Sequence, residues 1–185
     1  MKYRYLGSSG LLMSRITLGT MTFGAPDWGC DEKVSHTIIK KYIEEGGNSL
    51  DIADIYAGGR SEKIVGNLMP ELNRDGLIIA SKFSLPSGPA ITQFGANRKQ
   101  IISSCEKSLK RLKTDYIDLY YVHVPDPVTP LEETLRAIDD LVRQGKIRYS
   151  GSSMFFGWQL AKAQGVSVNH NLEKMVAGQY LSLIH

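Results

Sequence analysis

Beyond a short N-terminal segment, the chain alternates brief apolar runs with longer amphipathic stretches, and no tight hairpin turn joins successive runs. The runs are Ile16–Gly19, Ser49–Ala53, Leu77–Lys82, Ile117–His123, Ile147–Gly151 and Lys174–Ala177. Several are rich in Ile, Leu and Tyr with little polar alternation, the pattern of strands covered on both faces. They recur at intervals of roughly 30 to 40 residues, the size of a βαβ unit. A parallel α/β sheet follows from that order. The first run leads into Gly19-Thr20-Met21-Thr22-Phe23-Gly24, which lacks the G-x-G-x-x-G phosphate loop of a dinucleotide-binding sheet. The expected fold class is therefore α/β of the (β/α)8 TIM-barrel type, with about six βα units present. Tyr3-Arg4-Tyr5-Leu6, turning at Gly7–Gly10 into Leu11-Leu12-Met13, predicts a separate N-terminal β-hairpin.

The intervening stretches predict helices. Asp31 is placed to cap one whose apolar positions Val34, Ile38 and Tyr42 lie four apart, with Gly46-Gly47 at its end. Ser61 is placed to cap a shorter one carrying Ile64, Val65 and Leu68. Asn97 opens a third, with Ile101, Cys105, Leu109 and Leu112 on one face and Lys107, Lys110, Arg111 and Lys113 as a solvated face. Thr129-Pro130-Leu131-Glu132 has the form of a capping box, with Pro130 at the first helical position. Leu131, Leu135, Ile138 and Val142 form the buried stripe behind it, and Gly145 stops the helix.

Barrel enzymes work at the C-terminal ends of their strands. Here those ends bear Asp51, with Tyr56 five residues on, then Lys82, then His123. Taken singly, each has a plain structural explanation. Asp51 could satisfy a turn, Tyr56 pack in a loop, Lys82 sit solvated at a strand end and His123 bond near the surface. The conjunction of four such groups on three successive strand ends is not what packing alone selects. A cation beside a phenol favours its ionised form, so the tyrosine could donate a proton to a developing alkoxide. An aspartate would hold the ammonium in place.

Leu50–Tyr56 with Gly59-x-Ser61-Glu62, then Ser81-Lys82, then Asp115-Tyr116-Ile117-Asp118-Leu119 and His123, resembles the aldo-keto reductase superfamily. Thr129–Tyr149 resembles the branch that includes aryl-alcohol dehydrogenase-like reductases and potassium-channel β subunits. The likeness runs from about Tyr3 to Gly151. It implies hydride transfer between NADP(H) and a small carbonyl or alcohol substrate. Tyr56 would then be the general acid, Lys82 its tuning cation, Asp51 the partner of Lys82, and His123 the residue that orients the carbonyl. The same resemblance implies cofactor contacts from Gly19, Thr20, Met21, Asp51, Ser152 and Gln179, and no metal. A departure follows Gly151, where the branch has one more residue before its serine pair, and another at Gln179, which Tyr180 follows immediately. An alternative is a non-catalytic regulatory or self-associating interaction protein built on the same fold.

Composition narrows the remaining classes. Hydrophobic residues make up 42% and charged residues 22%, with a net charge of +3, which excludes a disordered chain and leaves no electrostatic footprint for nucleic acid. No apolar run reaches the ~20 residues of a membrane span. Cys30 and Cys105 read as reduced thiols of a cytoplasmic protein. One domain is expected over residues 1–185, a partial barrel, since a whole one takes ~250 residues. The run Leu183-Ile184-His185 is expected just past the sixth strand, without a terminal helix. Unpaired strand edges point to a homo-oligomer or a complementing chain as a partner.

Overall fold

A computed structural model describes residues 1–90 and 92–180. Strands β1 (Tyr3–Tyr5) and β2 (Leu12–Ser14) pair antiparallel, Tyr5 opposite Leu12, as the predicted hairpin. Six strands then form one parallel sheet in chain order: β3 (Leu18–Gly19), β4 (Ser49–Asp51), β5 (Ile78–Phe83), β6 (Ile117–Val122), β7 (Ile147–Ser153) and β8 (Met175–Gln179). Helices α1 (Glu32–Glu44), α2 (Arg60–Leu68), α3 (Arg98–Leu112), α4 (Leu131–Arg143) and α5 (Gly157–Asn169) each connect one strand to the next. The sheet curls into a half-barrel with its helices outside, which is the expected α/β, TIM-type arrangement of six strands. The Leu183-Ile184-His185 run lies outside the described residues.

The two faces of the sheet are unequal. Between sheet and helices lies the main core, which includes Ile39, Leu50, Ile79, Phe83, Ile101, Tyr120, Leu135 and Ile147. Phe83 and Tyr120 stack there at 4.8 Å between ring centroids. Each such side chain contributes roughly 1.5–3 kcal/mol on full burial, so this layer carries most of the stability. Among the described residues, the concave face holds a small buried cluster of Ala80, Leu119 and Tyr121, with Leu6 of the hairpin, Tyr149 and Ala177 against it.

Several local expectations are corrected. Strand β3 starts at Leu18 rather than Ile16, because the Ile16 carbonyl accepts from the Ser14 and Tyr42 hydroxyls instead of a neighbouring strand. Asp31 does cap α1, accepting from Val34 N at 2.8 Å. The helix, however, buries Ser35 and Ile39, leaving Val34 46% and Ile38 37% exposed. Asn97 caps α3 as expected, and Ile101, Cys105, Leu109 and Leu112 are buried.

Ser61 does not cap α2. Gly59, at φ +85, occupies that position, and the Ser61 hydroxyl inside the first turn reaches back to Thr20. The Thr129 capping box does not form either. Asp126 accepts from the Thr129 hydroxyl and from the N–H groups of Val128 and Thr129, so α4 begins one residue later with Pro130 at its N-cap. Glu132 pairs instead with Arg136.

Candidate active site

The rim of the half-barrel gathers the four groups expected there. Asp51 is the last residue of β4, while Tyr56 opens a 3-10 turn five residues later. Lys82 lies one residue before the end of β5, and His123 directly follows β6, its N–H bonded to Phe83 O at 2.8 Å. Lys82 is not a solvated strand end, being only 1% exposed. Its ammonium donates to Asp51 Oδ2 at 2.9 Å, to Ile52 O at 2.8 Å and to Tyr56 Oη at 2.8 Å. An ammonium has three protons and no acceptor, so all three are used. The Ile52 carbonyl is a backbone partner that no side-chain pattern could announce.

His123 meets Tyr56 edge to face, with ring centroids 6.1 Å apart. Burial first, and the nearby Lys82 cation second, lower the imidazole from 6.5 to about 4. At neutral pH it is therefore an uncharged ring with one N–H to donate. Its Nδ1 is buried and meets no partner among the described residues.

The residues proposed for a cofactor divide into two groups. Gly19, Asp51 and Gln179 share one cavity of about 170 Å³ on the concave face, together with Thr17, Ala80 and Tyr121. A Cβ at Gly19 would meet nothing within 4 Å, so the backbone is open on that side. Met21 lies half exposed just beyond. Thr20 and Ser152, by contrast, are fully buried. The Thr20 hydroxyl donates to Asp51 O and accepts from Ser61 Oγ, while Ser152 Oγ meets no partner among the described residues. It is Ser153 that lies in register with Gln179. Among the described residues no group of three or more His, Cys, Asp or Glu is placed to hold a metal. None of their helices is long and apolar enough to cross a membrane.

A second charged cluster lies behind the rim, on the helix side of the sheet. Glu62 of α2 is wholly buried and accepts from Ser81 Oγ at 2.7 Å and from Arg111 Nε at 2.5 Å. Arg111, read from sequence as part of a solvated face, is thus a buried carboxylate's partner. Asp54, 4% exposed, has neither carboxylate oxygen bonded to any described residue. Burial and the neighbouring Glu62 charge push it up to about 7, with Arg111 opposing. Glu62 was visible in sequence only as part of Gly59-x-Ser61-Glu62, without a role.

Comparison with known proteins identifies the family. Residues 15–180 match the model of the Aldo/keto reductase family. The chain is 41% identical over 175 residues to the aldo-keto reductase YhdN of Bacillus subtilis, covering 94% of this chain and 53% of that protein. It is 37% identical over 170 residues to a probable voltage-gated potassium channel subunit beta of Arabidopsis thaliana, covering 90% and 51%. The crystal structure of the thermostable aldo-keto reductase Tm1743, in complex with the inhibitor epalrestat, superposes with a TM-score of 0.85 at 36% identity. That match covers 98% of this chain and 63% of the other. The chain thus spans little more than half the length of the relatives it matches. With a family match across nearly all of it and the half-barrel shared with a solved member, the chain belongs to the aldo/keto reductase family.

Proposed function

We propose that this chain carries the chemistry of NADPH-dependent reduction of an aldehyde or ketone to its alcohol, with Tyr56 as the general acid. The observation that supports it best is the direction of one hydrogen bond. Lys82 can only donate, so Tyr56 Oη is the acceptor of their 2.8 Å contact. The tyrosine's own proton is left free for a substrate oxygen. Asp51 and Ile52 O hold the ammonium against the phenol, and its charge stabilises the phenolate left when that proton departs. His123, neutral at the working pH, offers an N–H to the same oxygen and orients the carbonyl.

Gly19, Met21 and Gln179 would hold the nicotinamide end of the cofactor, with Asp51 beside them. The open side of Gly19 and the cavity it shares with Gln179 fit a flat ring. Thr20 and Ser152 would act from within the wall, shaping it rather than reaching the ring. When bound, the reduced nicotinamide supplies the hydride that goes to the carbonyl carbon. The residues of this chain supply the proton and the orientation.

The test is NADPH oxidation with benzaldehyde as a generic substrate, in the parent chain and in Tyr56→Phe. Turnover by the parent and its loss in the variant, with both equally folded by circular dichroism, is the expected result. Absence of turnover in the parent, or its retention in the variant, would overturn the reading.

A further inference from the structure

The rim and the cluster behind it are not independent. Ser81 and Lys82 are consecutive in β5, and successive side chains of a strand point to opposite faces. Lys82 serves the rim, while Ser81 donates to Glu62. Glu62 stands in the first turn of α2, six residues after Tyr56 and joined to it by a tight turn. In that turn Ala57 (φ 49), Gly58 (φ 66) and Gly59 (φ 85) are all left-handed. For alanine this conformation costs roughly 1–2 kcal/mol, and such strain persists only where the surroundings fix it.

The surroundings here are Arg60, whose Nε donates to Ala57 O at 3.1 Å, and Arg111, which Glu62 holds by accepting from its Nε. A Cβ on Gly59 would come within 3.3 Å of Arg111 Cδ and Nε, so the turn is seated directly on the guanidinium arm. Seven residues on, Gly66 lets α2 touch the backbone of α3, since a Cβ there would lie 2.0 Å from Arg111 O. Beside Glu62, Ser61 Oγ donates to Thr20, whose N–H and hydroxyl both bond Asp51 O. The first turn of α2 is thereby tied to the two strands that carry Asp51 and Lys82.

We propose that Glu62 is a positioning residue for the Tyr56–Lys82 pair: bonded to Ser81 and Arg111, it fixes the turn that places Tyr56 Oη on Lys82 Nζ. It acts through these neighbours and touches neither substrate nor cofactor. The proposal rests on the general-acid role of Tyr56 for its catalytic consequence, but the geometry it asserts is readable without turnover.

The experiment uses the chain labelled with [13Cζ]tyrosine, the Tyr56 resonance being identified by its disappearance in Tyr56→Phe. In Glu62→Gln the Tyr56 resonance is expected to move or broaden at constant pH, while those of the other tyrosines on the concave face stay in place. With benzaldehyde, kcat should fall on the order of 10- to 100-fold, with the KM for NADPH changed by less than about twofold. Ser81→Ala removes one hydrogen bond and leaves the ion pair intact, so it tests the same claim should Glu62→Gln fail to fold. It should displace the Tyr56 resonance in the same direction by less.

An unmoved Tyr56 resonance in folded Glu62→Gln, or in Ser81→Ala if the first variant does not fold, would overturn the proposal. Movement of the resonance in a chain whose parent does not turn over would uphold the positioning and refute the general-acid reading instead.

Discussion

Two charged clusters stand back to back across strand β5, and they are built to opposite rules. On the concave side one cation, Lys82, faces one carboxylate, Asp51, and spends its remaining donors on Ile52 O and Tyr56. Charge is balanced, every ammonium proton is used, and the group left with a proton to give is a phenol at the rim. On the helix side two carboxylates, Glu62 and Asp54, share one guanidinium, Arg111. Glu62 takes that partner, and Asp54 is left buried with neither carboxylate oxygen bonded to a described residue. A buried charge is tolerated only when paired, so the surplus carboxyl keeps its proton to near neutrality. On the roles proposed above, the first cluster serves the chemistry and the second holds the first in place.

The largest expected effect separates them by activity. Lys82→Met removes the cation from the phenol and should lower kcat by about 10²- to 10⁴-fold, as loss of a working acid does. Its effect on folding should be smaller, because Asp51 is partly exposed and can be rehydrated. Steady-state kinetics beside a urea titration measures both. A variant that loses stability but keeps its rate would break the contrast.

Arg111→Met is the converse. It leaves Glu62 buried without its charged partner, a change that costs about 3–5 kcal/mol. A urea midpoint within experimental error of the parent would mean that the helix-side cluster holds nothing, and Glu62 would lose its assigned role.

The two clusters also differ in how far the sequence could reveal them. The rim was legible because its members fall at strand ends, and strand ends follow from the βα rhythm. Asp51, Lys82 and His123 needed no tertiary information, and Tyr56 needed only the next loop. The cluster behind was not legible, because Glu62 and Arg111 lie 49 positions apart. Arg111 also sits in a run of basic residues whose other members do face solvent. Their meeting depends on the close approach of α2 to α3, which a small residue at Gly66 permits but does not announce.

The failed caps have two different causes. Thr129 and Ser61 each have the right side chain at a plausible helix start, yet Asp126 captures the first, and the second reaches Thr20, 41 positions away. At Thr129 a competing local turn built by Asp126, three residues earlier, outranks the cap, whereas at Ser61 a tertiary contact does. The apolar positions of α1 misled for a related reason: spacing by four marks a stripe but not which flank of it meets the sheet.

The third difference concerns stability against pH, where the clusters pull in opposite senses. Asp54 is raised from 3.8 to about 7, so the native chain binds more protons than the unfolded one between those values. Its contribution is present at low pH and is lost as pH rises through about 7. The loss amounts to at most about 4 kcal/mol. Asp54→Asn should recover about 1–3 kcal/mol above neutral pH and little below about pH 4. Urea unfolding at the two extremes measures it, and an equal gain at both would show that ionisation is not the cause.

His123 runs the other way and is the smallest effect. It is lowered from 6.5 to about 4, so the unfolded chain binds the extra proton. Stability from this group is complete above about 6.5 and drains away as pH falls toward about 4. Partial exposure limits the loss to about 1–2 kcal/mol. Between about pH 4 and 6.5 the two groups therefore oppose each other, and the parent chain should show a shallow dependence there. Asp54→Asn removes the aspartate's share, so its stability should rise more steeply, or fall less steeply, with pH across that interval than the parent's. His123→Asn removes the histidine's share, so its slope should be displaced from the parent's in the opposite, more negative direction. Parallel slopes in the two variants would mean that neither group titrates as its surroundings dictate. Slopes displaced to opposite sides of the parent's would assign opposing shares of the pH dependence to one residue from each side of β5.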